Sequence, residues 1–353
     1  MTEVTALPAG VRSGPEDATL WVDAIEKTFR IKGNAVGRGA TQLRAVDGVS
    51  FDVRRGETFG LVGESGCGKS TLARCILRLI EPSGGRAYLD GTDLSALDGS
   101  ELRRMRRRMQ IVFQDPYSSL DPRMSVQSIV EEGLVIHGID SRAERALRAR
   151  EMLVLVGITP AQMNRKPHEF SGGQRQRIGV ARALVLHPEL VVLDEPISAL
   201  DVSIQAQVLN LLRRLQEQLG LTYLFIIHDL SVAEYFCDRV AVLYLGAVME
   251  LADRETLFQA PLHPYTVSLL SAVPIPDPAS ERRRSRIVLQ GEVSALGERP
   301  TGCRFRPRCP LGRDREICAS EEPPLVERAP GHWAACHFPG ELTAAQPTAV
   351  VHA

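Results

Sequence analysis

The segment Gly63-Glu64-Ser65-Gly66-Cys67-Gly68-Lys69-Ser70, followed by Thr71, fits the pattern G-x-x-x-x-G-K-[ST], in which backbone amides gather around phosphate oxygens. Three glycines let those amides converge, a following helix start adds positive potential, and Lys69 brings a full charge to the outer phosphates. Ser70 is placed to ligate magnesium. A glycine-rich turn with a chance Lys-Ser is the rival reading, and the eight-residue match disfavours it. Cys67 occupies a position the pattern leaves open and reads as a small filler, not a nucleophile. A second centre is Asp194-Glu195, after Leu190-Val191-Val192-Leu193 and before Pro196. There Asp194 suits magnesium, held through water, and Glu195 suits orienting or deprotonating an attacking water. A merely solvated acidic strand end is disfavoured by the four apolar residues before the pair.

These groups need a frame. Phe59-Gly60-Leu61-Val62 reads as a buried strand running into the glycine loop, with Leu72, Ile76, Leu77 and Leu79 as the apolar face of the next helix. Leu190-Val191-Val192-Leu193 is a second buried strand. Ile204, Val208, Leu211, Leu215 and Leu219 recur at helical spacing over Val202–Leu219, with Gly220 as a stop. The strand Thr222–Ile227 then delivers His228. Short apolar runs alternating with helical periods predict an α/β fold with a mostly parallel sheet, ligands lying at its carboxyl ends. The run Arg103-Arg104-Met105-Arg106-Arg107-Arg108 reads as a solvated helix face before a strand at residues 109–113; without interleaved aromatics it is not a nucleic-acid patch.

The 353 residues, 44% hydrophobic with a formal net charge of -1, suffice for one large core and a smaller second unit, with no charge bias toward nucleic acid or an anionic membrane. No apolar run approaches the roughly 18 to 20 residues of a membrane helix. Residues 1–18 lack the features of a secretion signal, so a cytosolic location is expected, with the seven cysteines as thiols or metal ligands. Cys303, Cys309, Cys318 and Cys336 fall within 34 residues, with five, eight and seventeen residues between successive members. That concentration asks for a metal, and the spacing alone leaves a zinc site, an iron-sulfur cluster or four unligated thiols open. Arg304, Arg306, Arg308 and Arg313 are expected to favour thiolates. His332 and His337 rank below the cysteines as ligands.

Six elements occur in one order: the phosphate loop, Gln114 in Val112-Phe113-Gln114-Asp115-Pro116, Ser171-Gly172-Gly173-Gln174, Leu193-Asp194-Glu195-Pro196, Ser198-Ala199-Leu200-Asp201 and His228. That order resembles the ATPase subunits of ABC transporters. The resemblance implies a phosphate-loop, RecA-like core with small antiparallel β and helical subdomains, hydrolysing ATP with magnesium. By matching position, Gln114 senses magnesium and attacking water, His228 contacts the γ-phosphate and Asp201 bridges two halves of a dimer. Phe29 is the choice for the aromatic stacked on adenine, with a core phenylalanine as rival. In such ATPases Ser171, Gly172, Gly173 and Gln174 of one subunit close over nucleotide held by another. One loop and one signature per chain therefore imply a second ATPase subunit.

The stretch from Gln114 through Tyr117, Ser118, Ser119, Leu120 and Asp121 to Pro122, and His263-Pro264-Tyr265-Thr266 with Leu269 to Pro274, resemble the oligopeptide and dipeptide importer branch and its C-terminal extension. The resemblance spans roughly residues 20 to 340. It departs after Gly291-Glu292-Val293, where residues 294–299 replace most of a usual proline-rich stretch. The implied layout is a disordered tail at 1–18, the ATPase at 19–255, the extension with its cysteines at 256–340 and a tail at 341–353. Some importers of this branch carry an iron-sulfur cluster at such positions, which tips the reading to 4Fe-4S, with zinc as alternative. Implied partners are two transmembrane permease subunits, a homologous rather than identical second ATPase and an extracellular solute-binding protein, with the chain peripheral on the cytoplasmic face and no nucleic acid expected. A soluble ABC ATPase acting on nucleic acid or ribosomes shares the motor and is the alternative. A subunit that binds ATP without turnover is opposed by Glu195 and His228.

Overall fold

In the computed structural model, which describes residues 17–31, 41–115, 119–273, 287, 289 and 301–342, the unbroken apolar runs become strands buried on both faces. The strands are β1 (Ala18–Ile31), β2 (Thr41–Arg54), β3 (Thr58–Val62), β4 (Gly84–Leu89), β5 (Thr92–Asp93), β6 (Met109–Val112), β7 (Leu190–Asp194), β8 (Thr222–Ile227), β9 (Arg239–Tyr244), β10 (Ala247–Asp253), β11 (Val326–Ala329) and β12 (His332–Ala334). The main sheet runs β6-β7-β8-β3-β9 in parallel, and β10, β12 and β11 continue it antiparallel. A separate antiparallel sheet has the order β2-β1-β4-β5.

Side-chain alternation along each parallel strand divides the core in two. Phe59 and Leu61, Leu190 and Val192, and Leu224 and Ile226 meet the helix Lys69–Ile76 and the antiparallel sheet. Val62, Val191 and Leu193, and Tyr223, Phe225 and Ile227 face the opposite side. On that side the helices Val126–Ile136, Arg142–Leu155 and Gly172–Leu184 join through Ile129, Leu134, Met152, Leu153 and Ile178. Leu193 is fully buried, so Leu193→Ala costs about 2–5 kcal/mol of stability. The helix Val202–Leu219 ends as expected at Gly220, which adopts φ 66°.

Two expectations are corrected. Leu79 is not on the apolar face of its helix: the helix stops at Ile76 and Leu79 is 45% exposed. Arg78 takes φ 47°, and the N–H groups of Arg78 and Leu79 return to the carbonyls of Cys75 and Arg74, a C-terminal closure that turns the chain outward. Nor is the arginine run one solvated face, because the helix covers only Gly99–Met105. Arg103 and Arg106 donate to the carbonyls of Ile136 and Arg78, both at 2.8 Å, and Arg108 makes two 2.6 Å bonds to Glu189.

The described part of the extension is fused to the core, since β12 pairs with β10 and β11 with β12. Fully buried Glu250 on β10 accepts the N–H groups of Leu262 and His263 at 2.7 and 2.9 Å and lies 2.7 Å from His332 Nε2. Phe305 packs on Tyr244 of β9 and on Tyr265, with ring centroids 5.3 and 5.2 Å away. Ala18, assigned to the N-terminal tail, starts β1, and Glu341, assigned to the C-terminal tail, pairs with Arg315 at 2.8 Å. Residues 1–16 and 343–353, Tyr117 and Ser118, Pro274 and the departure at 294–299 lie outside the described residues.

Candidate functional site

Strand register gathers the site. Val62 pairs with Ile227, so Gly63 and His228 leave the sheet side by side; Val112 pairs with Leu193, so Gln114 emerges near Glu195. All four groups stand at the carboxyl ends of parallel strands. The loop then turns tightly into its helix. Gly68 takes φ 108°, and a Cβ there meets the Ala45 carbonyl oxygen at 2.1 Å, so no other residue fits without moving β2. Lys69 is 4% exposed, and its ammonium donates to the carbonyls of Gly63 at 2.7 Å and Glu64 at 3.0 Å. Ser65 and Gly66 are exposed at the tip, and Thr71 is half-buried in the first helical turn. Cys67 is buried, and burial pushes its thiol up, in keeping with a filler.

Ser70 Oγ donates to Asp194 Oδ1 at 2.7 Å, which sets a hydroxyl and a carboxylate side by side as two oxygen donors. Burial raises the Asp194 carboxyl above its ordinary value, opposed by the Ser70 hydrogen bond, so a cation there offsets the cost of the charge. Glu195 follows at φ 49°, an uncommon conformation for a residue with a side chain, fixed by its N–H donating to the Ile226 carbonyl at 3.0 Å. Its Oε2 accepts the Gln114 amide N–H at 2.9 Å and lies 3.3 Å from His228 Nδ1. Gln114, Glu195 and His228 thus converge on one carboxylate oxygen; Gln114 bonds there and not to the Ser70–Asp194 pair.

Ser171 caps the helix Gly172–Leu184 by accepting the Gln174 N–H, while Gln174 Oε1 accepts the Ser171 N–H at 3.1 Å. This reciprocal box leaves the first helical amides facing outward. Among the described residues no hydrogen bond joins Ser171, Gly172, Gly173 or Gln174 to the phosphate loop. Asp201 is exposed at the start of Val202–Leu219 and makes no side-chain cap, beside Val202 at 81% exposure. Phe29 is half-buried on β1 under the Lys27 ammonium, 5.1 Å from the ring centre, and does not belong to the buried core.

The four cysteines are buried and line one small cavity with His263, Phe305, Gly312 and His337. Burial pushes the Cys303 and Cys336 thiols up to about 11 and about 12. The Gly312 N–H donates to Cys309 Sγ at 3.2 Å and the Phe338 N–H to Cys336 Sγ at 3.4 Å. Among the described residues no group of three or more His, Cys, Asp or Glu side chains is set to hold a single metal ion. The expected arginine assistance holds for Arg306 at Cys318 and is corrected for Arg304 and Arg308, which are paired with carboxylates. Arg304 engages Asp47 and Glu322, Arg308 engages Glu64, and Arg306 and Arg315 are the cations that bear on Cys318. His332 turns away to Glu250.

Sequence reasoning missed Gln205, whose amide holds the carbonyls of Ile197 and Leu200 at 3.1 and 3.0 Å and so braces the loop between Glu195 and Asp201. It also missed the roles of Tyr265 and Arg308 at the phosphate loop. No local spacing announces any of the three, because their partners depend on the folded path.

The family pattern described as ABC transporter matches residues 46–198, and that described as oligopeptide/dipeptide transporter, C-terminal region, matches residues 249–318. A putative peptide import ATP-binding protein of Brucella ovis is 57% identical over 299 residues, 85% of this chain and 93% of the relative. The oligopeptide transport ATP-binding protein AppF of Bacillus subtilis is 49% identical over 324 residues, 92% and 98% of the two chains. Among solved structures, a dimeric post-hydrolysis state of the ATP-binding cassette MJ0796 bound to ADP and Pi matches with a TM-score of 0.59 and 32% identity over 67% of this chain and 98% of that one. CbiO1 of Clostridium perfringens matches with a TM-score of 0.60 and 28% identity over 69% and 92%. With a strand-end site of this geometry and relatives of this identity, the chain belongs to the ATP-binding subunits of ABC transporters, in the branch that carries the oligopeptide/dipeptide C-terminal region.

Proposed function

We propose that the chain is the ATP-hydrolysing subunit of an importer for di- or oligopeptides, acting from the cytoplasmic face of the membrane. The observation that carries this is an intact ATPase site joined to the C-terminal region found in relatives named for peptide import. Among the described residues no helix is long and apolar enough to cross a membrane, so transport through the bilayer falls to two permease subunits, fed by a solute-binding protein. Part of the arginine run is engaged within the fold, Arg106 with the Arg78 carbonyl and Arg108 with Glu189, which weighs against a nucleic-acid surface.

In this reading the amides from Gly63 to Thr71 and Lys69 hold the phosphates. Ser70, Asp194 and Gln114 serve magnesium, which supplies charge neutralisation when bound. Glu195 receives the proton of the attacking water, steadied by Gln114, while His228 meets the γ-phosphate. Phe29 stacks on adenine. Ser171, Gly172, Gly173 and Gln174 present amides to nucleotide on a second ATPase subunit, a homologue, with Asp201 across the same interface. Closure on ATP and reopening after hydrolysis drive the permease. Four buried sulfurs, two receiving backbone N–H groups, fit a 4Fe-4S cluster that cross-links the extension. Zinc is the alternative occupant of the same four thiols, which as thiolates are an ordinary zinc ligand set.

The test is affinity purification of tagged Glu195→Gln protein from detergent-solubilised cells with ATP and magnesium. Recovery of two polytopic membrane proteins, a second ATPase and a solute-binding protein that binds peptides is expected. Recovery of only soluble nucleic-acid or ribosomal partners contradicts the proposal.

A further inference from the structure

Glu64, the second residue of the phosphate loop, is tied at every polar group. Its carbonyl accepts the Lys69 ammonium at 3.0 Å, its N–H donates to Tyr265 Oη at 3.1 Å, and its carboxylate takes both arms of Arg308 at 2.7 and 3.0 Å. Tyr265 and Arg308 both belong to the C-terminal extension, 201 and 244 residues away. The Arg308 side chain is 9% exposed and the Glu64 side chain 27%, so the pair is largely shielded from water, and the Glu64 carboxylate holds the guanidinium above its ordinary value. The guanidinium also lies over the Tyr244 ring, 5.8 Å from its centre, a cation–π contact.

A carboxylate in a loop that receives a triphosphate opposes ligand binding unless its charge is met. We infer that Arg308 is a positioning residue for ATP: it neutralises Glu64 and, with Tyr265, holds the loop in the shape that presents Lys69 and the amides to the phosphates. The extension is then part of the nucleotide site. Arg308 directly precedes Cys309, which lines the sulfur cavity, so the clamp and the cavity are adjacent along the chain. This inference rests on the reading of residues 63–71 as the phosphate site.

The experiment measures the dissociation constant of Mg-AMP-PNP for the full-length chain and for Arg308→Ala, Glu64→Gln and the double variant. Arg308→Ala is expected to weaken binding about tenfold in the Glu64 background, but no more than about threefold with Gln at position 64, since no charge remains to be met. Arg308→Lys, which keeps the charge and loses the fork, is expected to stay within about threefold of wild type. An equal loss in both backgrounds makes Arg308 a mere support of the extension and overturns the inference, as does no loss in either. If Arg308→Ala does not fold, the lysine variant decides, and a tenfold loss there overturns the neutralisation. Lys69→Ala is the separate control: binding equal to wild type rejects the phosphate-site reading itself, whatever Arg308 does.

Discussion

The phosphate loop and the sulfur-lined cavity are both rich in small or polarizable groups and are built in opposite ways. The loop is nine consecutive residues whose backbone does the work, shaped by the strand before it and the helix after it. The cavity is assembled from residues scattered between His263 and Phe338 whose side chains do the work, on a sheet edge extended by β12 and β11. A contiguous backbone site announces itself as a pattern, whereas a scattered side-chain site announces only its chemistry. The Arg308–Glu64 ion pair joins the two, and four substitutions probe the contrast.

The largest effect is expected from Lys69→Ala, which removes the charge at the centre of the contiguous site. Nucleotide affinity should fall at least about 100-fold, read by equilibrium binding. Retained affinity breaks the first half of the comparison. Cys309→Ser strikes the assembled site. Anaerobically purified wild-type protein should carry about four irons and four sulfides per chain, the variant under one iron, with the unfolding midpoint lowered by about 3–6 °C. Wild-type protein holding about one zinc and no sulfide turns the cavity into a mononuclear site instead. Arg308→Ala, at about tenfold in affinity, tests the joint between the regions.

Glu189→Gln is the smallest change and serves as a baseline remote from both. Arg108 holds the Glu189 carboxyl down to about 2 from an ordinary 4.5. Its folded value lies below its unfolded one, so its contribution is complete above about pH 4.5 and is lost as the pH falls through about 2. The pair is partly exposed, so the contribution is under about 1 kcal/mol. Denaturant titrations across pH should show the variant slightly less stable at pH 7 and flatter in acid. An unchanged acid profile contradicts the pairing.

Much of the frame was legible beforehand. The runs ending at Val62, Leu193 and Ile227 lacked polar alternation because both faces of those strands are buried, and Gly220 marked a helix end by its backbone freedom. The convergence of Gln114, Glu195 and His228 rests on strand register, which the motif order implied through the resemblance but no spacing could measure. Leu79 misled because helical periodicity carries no information about a closure through Arg78. The arginines misled because a run of like charges looks solvated until the folded path brings Glu189 and the Ile136 carbonyl to meet it. Arg308 was read for its charge beside the cysteines, while its partner lay in the phosphate loop.

The most direct test of the central claim, hydrolysis driven by Glu195 at an ABC ATPase site, is the steady-state ATPase rate of the purified transporter with Glu195→Gln, measured beside its ATP affinity. Turnover should fall about 100-fold or more while ATP still binds; turnover equal to wild type would remove Glu195 from the chemistry and the account with it.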